Sequence, residues 1–174
     1  MKILIGIAAA VALLVICVLL IGSRLPARHR ARMEVRVDVP PATAFALIAD
    51  MARAPAWRSD VKSIELLAAE NGMPRFRETG KHGAITYRIE AAEAPHRFAT
   101  RIADTDLGYG GSWSWDIRPD AGGSIVTITE DGEVTSPLFR FMSRYVFGQY
   151  ASIQRYLQSL SSALGGSTPR RLSD

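Results

Sequence analysis

The chain has 174 residues, with 21 Lys and Arg against 17 Asp and Glu, a length that holds one domain with a real core. Five basic residues (Lys2, Arg24, Arg28, Arg30 and Arg32) lie at or next to one N-terminal apolar stretch, so from Met33 onward 16 basic residues face 17 acidic ones and no nucleic-acid footprint remains. The single cysteine, Cys17, excludes an intramolecular disulfide framework and a cysteine metal cluster.

Ile3 to Gly22 is an uncharged run of 20 residues, the length of a membrane-spanning helix. A cleaved signal peptide is the competing reading, but its apolar core is ordinarily about 7–15 residues and ends in a small-x-small site. Here the cut positions are poor. Ile21 lies two before Ser23, Leu25 lies two before Ala27, and bulky Ile16 precedes Cys17. The expectation is an uncleaved transmembrane helix over residues 3–22 and a basic juxtamembrane linker over 23–32. Arg24, Arg28, Arg30 and Arg32 would sit at the lipid headgroups, and their excess on the C-terminal side predicts a single-pass protein with its domain in the cytoplasm.

The domain itself is expected over residues 33–164. Met33 to Val39 alternates Val35, Val37 and Val39 against Glu34, Arg36 and Asp38, as a half-buried strand does. Pro40 and Pro41 stop it, and Pro41 suits the first turn of a short helix over Ala42 to Ala49. Ala56-Trp57-Arg58 marks a second helical turn or its exit. Strands follow at Lys62–Ala69, Pro74–Gly80, Ala84–Ala91, Arg97–Ala103, Ser112–Pro119 and Ser124–Val134, separated by turn residues such as Lys81-His82-Gly83 and Asp120 to Gly123. Ser136 to Leu164 then reads as one long helix. Leu138, Met142, Val146, Gln149, Ile153, Leu157, Leu160 and Leu164 form its apolar stripe. Phe147-Gly148 suggests a bend within it. Gly165 to Asp174 is expected to be a disordered tail.

This order, together with the stretches VRVDVPPATAFALIADMARAPAWRSDVKSIELL and GGSWSWDIRPDAGGSIVTITEDGEV and the closing helix, resembles the START-like superfamily, also called SRPBCC or polyketide cyclase/dehydrase-like. The resemblance runs from Met33 to Leu164. It implies an α+β helix-grip fold, in which a seven-stranded curved antiparallel sheet wraps a long C-terminal helix and leaves an apolar cavity between them. That superfamily hosts lipid carriers, ligand receptors, cyclases, hydroxylase domains and chaperone activators, so fold alone does not name the activity.

In such a fold, strand alternation turns Phe76, Ile85, Tyr87, Phe98, Trp113 and Trp115 toward the cavity. The helix would add Leu138, Met142, Tyr145, Val146 and Gln149, and Trp57 would close one end. Taken singly, each residue is better explained as core; as a set, large aromatics with a few polar groups resemble a ligand lining. Glu78, Glu130 and Gln149 are polar in an otherwise apolar phase. A buried carboxylate needs a partner or a proton. Ion pairing is the plain expectation, ligand anchoring the second, and general acid–base work by Glu78, Tyr87 or Glu130 the third. His29, His82 and His96 are not spaced as metal ligands, and no metal or cofactor is expected.

Function is thus expected to be binding rather than catalysis: a membrane-anchored module for a lipid or other hydrophobic small molecule, without nucleic acid. A cyclase- or dehydratase-type enzyme is the alternative. A protein-binding adaptor is a further one, motivated by Phe147 on the polar side of the last helix.

Overall fold

The computed structural model describes residues 1–81 and 83–172, so His82 lies outside the described residues. The chain opens with α1 (Lys2–Arg24), a helix long and apolar enough to cross a membrane, as a signal sequence also would be. Then come β1 (Arg28–Val37), α2 (Pro41–Ala49), a 3-10 turn at Met51–Arg53 and α3 (Ala54–Trp57). Six strands follow: β2 (Val61–Glu70), β3 (Met73–Gly80), β4 (Gly83–Glu93), β5 (Arg97–Ile102), β6 (Tyr109–Asp120) and β7 (Gly123–Val134). The chain ends in α4 (Pro137–Met142), a π-turn at Ser143–Phe147, α5 (Ala151–Leu164) and the short β8 (Arg170–Arg171).

One antiparallel sheet holds all the strands in the order β2-β3-β4-β5-β6-β7-β1-β8. Strands β2 to β7 pair consecutively, β1 lies against β7 with Met33 opposite Ile128, and β8 adds to the outer edge of β1. The inward residues of β1 (Ala31, Met33, Val35, Val37) meet Ile117 of β6, Val126 and Ile128 of β7, and Ile153, Leu157 and Leu160 of α5. Ala44 and Ile48 of α2 close the same core. Fully burying each larger aliphatic chain contributes about 1.5–3 kcal/mol. The sheet and α5 therefore grip each other as an α+β helix-grip fold, and α5 is the wall against which the site is built.

Four expectations need correction. β1 begins at Arg28, not Met33, so that only Leu25, Pro26 and Ala27 join α1 to the sheet and the arginines expected in a linker fall at the end of α1 or in β1. Arg30 is engaged there by Asp131, with hydrogen bonds of 2.7 and 3.0 Å. The sheet has an eighth strand, because the expected loose tail runs back along β1. Arg170 pairs with buried Glu34, and the Leu172 amide donates to the Arg32 carbonyl. Ser173 and Asp174 lie outside the described residues. The last helix is not continuous: Gly148 adopts φ 79°, a left-handed value that ends the π-turn and redirects the chain before α5. Lastly, β6 starts at Tyr109, ahead of the expected Ser112.

The first piece of that broken helix has a different partner. Ser136 caps α4, its hydroxyl accepting from the Phe139 amide, and Pro137 occupies the first turn. Arg140 donates to three carbonyls, those of Val134 (2.7 Å), Thr135 (3.1 Å) and Leu25 (3.3 Å). It so ties α4 to the end of β7 and to the exit of α1. Gly22 seats α1 directly on Pro137: a methyl group there would lie 2.0 Å from the Pro137 carbonyl oxygen.

Candidate functional site

A cavity of about 60 Å³ lies between the sheet and α5. Trp57 reaches it from α3 and Arg58 from just beyond, Phe76 and Glu78 from β3, Tyr87 from β4, Thr100 from β5, Trp113 and Trp115 from β6, and Tyr156 from α5; Met51 and Ala54 complete it. Alternate residues on each strand share a face, so Phe76 with Glu78, and Trp113 with Trp115, arrive together. All three tryptophans of the chain are in the lining.

Tyr156 is the hub. Trp57, Trp115 and Trp113 surround its ring with centroids at 5.2, 5.5 and 5.9 Å. The Arg58 guanidinium sits 5.0 Å above it, a cation–π contact. Phe76 stacks on Tyr87 at 5.2 Å. Arg58 also grips Glu78 with two hydrogen bonds, 2.8 and 3.1 Å, and donates to Asp60 at 2.8 Å. Burial works against the Arg58 charge, but the Asp60 hydrogen bond and the Glu78 charge outweigh it, so the guanidinium holds its proton more tightly than usual. Burial, reinforced by Glu78, pushes the Tyr87 hydroxyl up. Burial likewise pushes Tyr156 up, with Arg58 opposing. Both tyrosines are therefore neutral hydrogen-bond donors at neutral pH.

Three polar atoms among the described residues are buried without any hydrogen-bond partner: Trp57 Nε1, Trp115 Nε1 and the Tyr156 hydroxyl oxygen. Trp115 favours the ionised form of Tyr156, yet its N–H is off hydrogen-bond geometry to that oxygen. An unsatisfied buried donor costs about 1–3 kcal/mol. All three belong to residues that line the cavity.

Other expected residues fall elsewhere. Phe98 is core, between Phe45 and Trp115. Ile85 is half-buried on β4 and outside the lining. Leu138, Met142, Tyr145 and Val146 belong to α4 and the π-turn and do not reach the cavity; Gln149 sits in the turn before α5. Glu130 is held by His29 (3.3 Å) and by Ser152, whose hydroxyl donates at 3.2 Å. Of the catalytic candidates, Glu78 and Tyr87 share the cavity lining but Glu78 is taken up by Arg58, and Glu130 lies outside the lining. Arg58 and Tyr156 were missed by sequence reasoning. Tyr156 was findable, since it stands three after Ile153 and four before Leu160 on the buried stripe. For Arg58 no signal separated it from the other surface-type arginines. No group of three or more His, Cys, Asp or Glu among the described residues could hold a metal ion.

A second space, about 320 Å³, opens as a groove between the Ala49–Ala52 segment and strands β2 to β4. Met51 and Phe76 line both it and the cavity, so the two spaces meet at these two residues.

The model of one protein family, described as polyketide cyclase / dehydrase and lipid transport, matches residues 28–164. No curated protein matches. Among solved structures, a START superfamily protein from Mycobacterium smegmatis is similar with a TM-score of 0.63 at 16% identity, covering 78% of this chain and 97% of that one. The Zhui aromatase/cyclase from Streptomyces sp. R1128 is similar with a TM-score of 0.65 at 16% identity, covering 79% and 93%. A protein from Thermus thermophilus is similar with a TM-score of 0.61 at 21% identity, covering 78% and 94%. At such identities these likenesses show the shared fold.

Proposed function

The chain belongs to the polyketide cyclase/dehydrase and lipid transport family, and from that premise we propose that it is a membrane-anchored binding module for a compact hydrophobic molecule carrying carbonyl or hydroxyl oxygens. The observation that carries this reading is the trio of unpartnered polar atoms, Trp57 Nε1, Trp115 Nε1 and the Tyr156 hydroxyl, all on residues that line one aromatic cavity. Donors without acceptors select a ligand that brings acceptors; the rings around them select an apolar, flat body. The Arg58 charge is already met by Glu78 and Asp60, which disfavours a free anion as the ligand.

The cavity, at about 60 Å³, has room for a few water molecules and none for an acyl chain. Size therefore speaks against a long-chain lipid in the closed form. A ligand of drug-like size needs about 300–1,000 Å³, which is reached only when Phe76 and Met51 move aside and the groove joins the cavity. Catalysis is the weaker reading, because Glu78, the carboxylate among the described lining residues, is held by Arg58. α1 serves as the anchor in this proposal, supported by its length, its composition and its close seat on Pro137.

The test uses the three tryptophans as built-in reporters. The full chain in mild detergent is titrated with an aromatic ketone or quinone and, in parallel, with a long-chain fatty acid. Saturable quenching by the first and none by the second is expected, and W115F and Y156F should each weaken it. Equal quenching by both, or quenching unchanged in the two variants, would sink the proposal.

A further inference from the structure

Five large apolar side chains stand together in solvent on the α4 and π-turn segment. Tyr145, Val146 and Phe147 are 59%, 58% and 64% exposed, and Leu138 and Phe139 more than two-fifths. Tyr109, itself exposed, packs edge-on against Phe139 and extends the patch. Scattered single residues of this kind need no explanation, but their concentration within the one segment Pro137–Phe147 does.

Its position says what covers it. The last turn of α1 rests on Pro137, the first residue of α4, with backbones in contact at Gly22. Arg140 pins the same segment to Leu25, at the exit of α1. The patch is thus held at the level where an apolar spanning helix ends. Its charge also suits that place. From Met1 to Arg32, and again from Ser136 to Leu164, the sequence holds arginines and no carboxylate. Tyr145 with Phe139 and Phe147 supplies rings of the kind enriched at headgroup depth, and exposed Arg144 lies beside them. Gly148 isolates the segment from α5, so it can face lipid while α5 faces the core.

We propose that Pro137–Phe147 is a second membrane contact, an interfacial segment that lies in the headgroup layer of the bilayer crossed by α1. It rests on the anchor reading of α1. The occupant is the lipid surface itself. The domain is then held at two points and takes a fixed tilt.

The full chain is reconstituted in vesicles of phosphatidylcholine and phosphatidylglycerol and labelled at one cysteine with an environment-sensitive fluorophore. Native Cys17 reports on α1. In a Cys17→Ser background, Phe147→Cys and Tyr145→Cys report on the patch. Ala121→Cys is the control, in the β6–β7 turn at the far end of those strands from Val134. Nitroxide lipids are carried either near the headgroups or near the chain ends. The headgroup nitroxide should quench positions 145 and 147 about two-fold, as for a face about 5–10 Å into the boundary, and leave 121 unaffected. If the deep nitroxide quenches Cys17 while 145 and 147 behave like 121, the interfacial contact is refuted and the anchor stands. If Cys17 itself is unquenched, the anchor reading fails and takes this proposal with it. Blue-shifted labels at 145 and 147 that ignore nitroxide overturn it too, pointing to a second copy of the chain when the shift follows the protein-to-lipid ratio and to another protein surface when it does not.

Discussion

Arg58 and Glu78 form a two-pronged ion pair, at 2.8 and 3.1 Å, in the wall of the cavity. Their side chains are only 13% and 17% exposed. The pair fixes the rim of the site and removes from proton transfer the carboxylate closest to it. Arg58→Ala leaves that carboxylate without its main partner, and the expected loss is about 3 kcal/mol, the low end for a broken buried pair because some solvent reaches it. The double variant Arg58→Met with Glu78→Leu should recover most of the loss. Urea midpoints of the two variants in detergent check this; equal destabilisation would show that packing, not the pairing, dominates.

Tyr156→Phe should act oppositely on stability and on binding. The hydroxyl it removes is buried and without a partner, so the empty protein is expected to be unchanged or firmer by up to about 1 kcal/mol. Ligand affinity should nonetheless fall roughly tenfold, the equivalent of about 1.4 kcal/mol for a lost hydrogen bond. A thermal melt with and without the aromatic ketone reads both effects in one experiment.

Acid should weaken the fold in a traceable way. Burial raises the pKa of Asp60, but its hydrogen bond to Arg58 outweighs burial and holds it below the ordinary value; Glu90 is depressed likewise by Arg101 and Arg88, and Asp131 chiefly by its hydrogen bond to Arg30. The unfolded chain then binds more protons than the folded one at low pH. Stability from these groups is complete above the ordinary carboxylate range and is lost as pH falls through the folded values, below about pH 4. Urea midpoints from about pH 6 down to about pH 3 should fall, and less steeply in Asp60→Asn. A slope unchanged by that variant would remove Asp60 from the account.

Phe76→Ala tests the meeting of the two spaces. Loss of a buried phenyl ring costs about 3–5 kcal/mol. The same change joins cavity and groove, so ligand exchange should speed up even where affinity drops. Met51→Ala, at a half-buried site, should speed exchange at a lower cost in stability. Stopped-flow tryptophan quenching measures the rates; unchanged rates in both variants would mean that ligands use another route.

Much of the fold was legible because period-two alternation survives in β1 and in β3 to β6, and a single stripe in α5 demands a cover. In β7 both faces carry β-branched residues, Ile125 and Thr127 on one and Val126 and Ile128 on the other, so the pairing with Met33 and Val35 is what marks the core side. The last helix misled for a physical reason. Leu138, Met142 and Val146 continue the phase of Ile153 and Leu157, yet Gly148 divides two segments with different partners, α1 for one and the sheet for the other. Periodicity reports that a face is apolar, not what it touches. Of the site, the aromatic sheet residues Phe76, Tyr87, Trp113 and Trp115 were readable from strand parity. Arg58 was not, since its role depends on Glu78, brought in by a strand 20 residues later.

The three carbonyls held by Arg140 have a mechanical consequence. On the anchor reading, the domain is mounted on its stalk instead of leashed to it. A leash would let the binding site sweep a hemisphere and sample molecules well away from the surface. A mount restricts it to one height and one facing direction, so whatever it receives has to be delivered there, by lateral travel in the same membrane or by a donor that docks at that height.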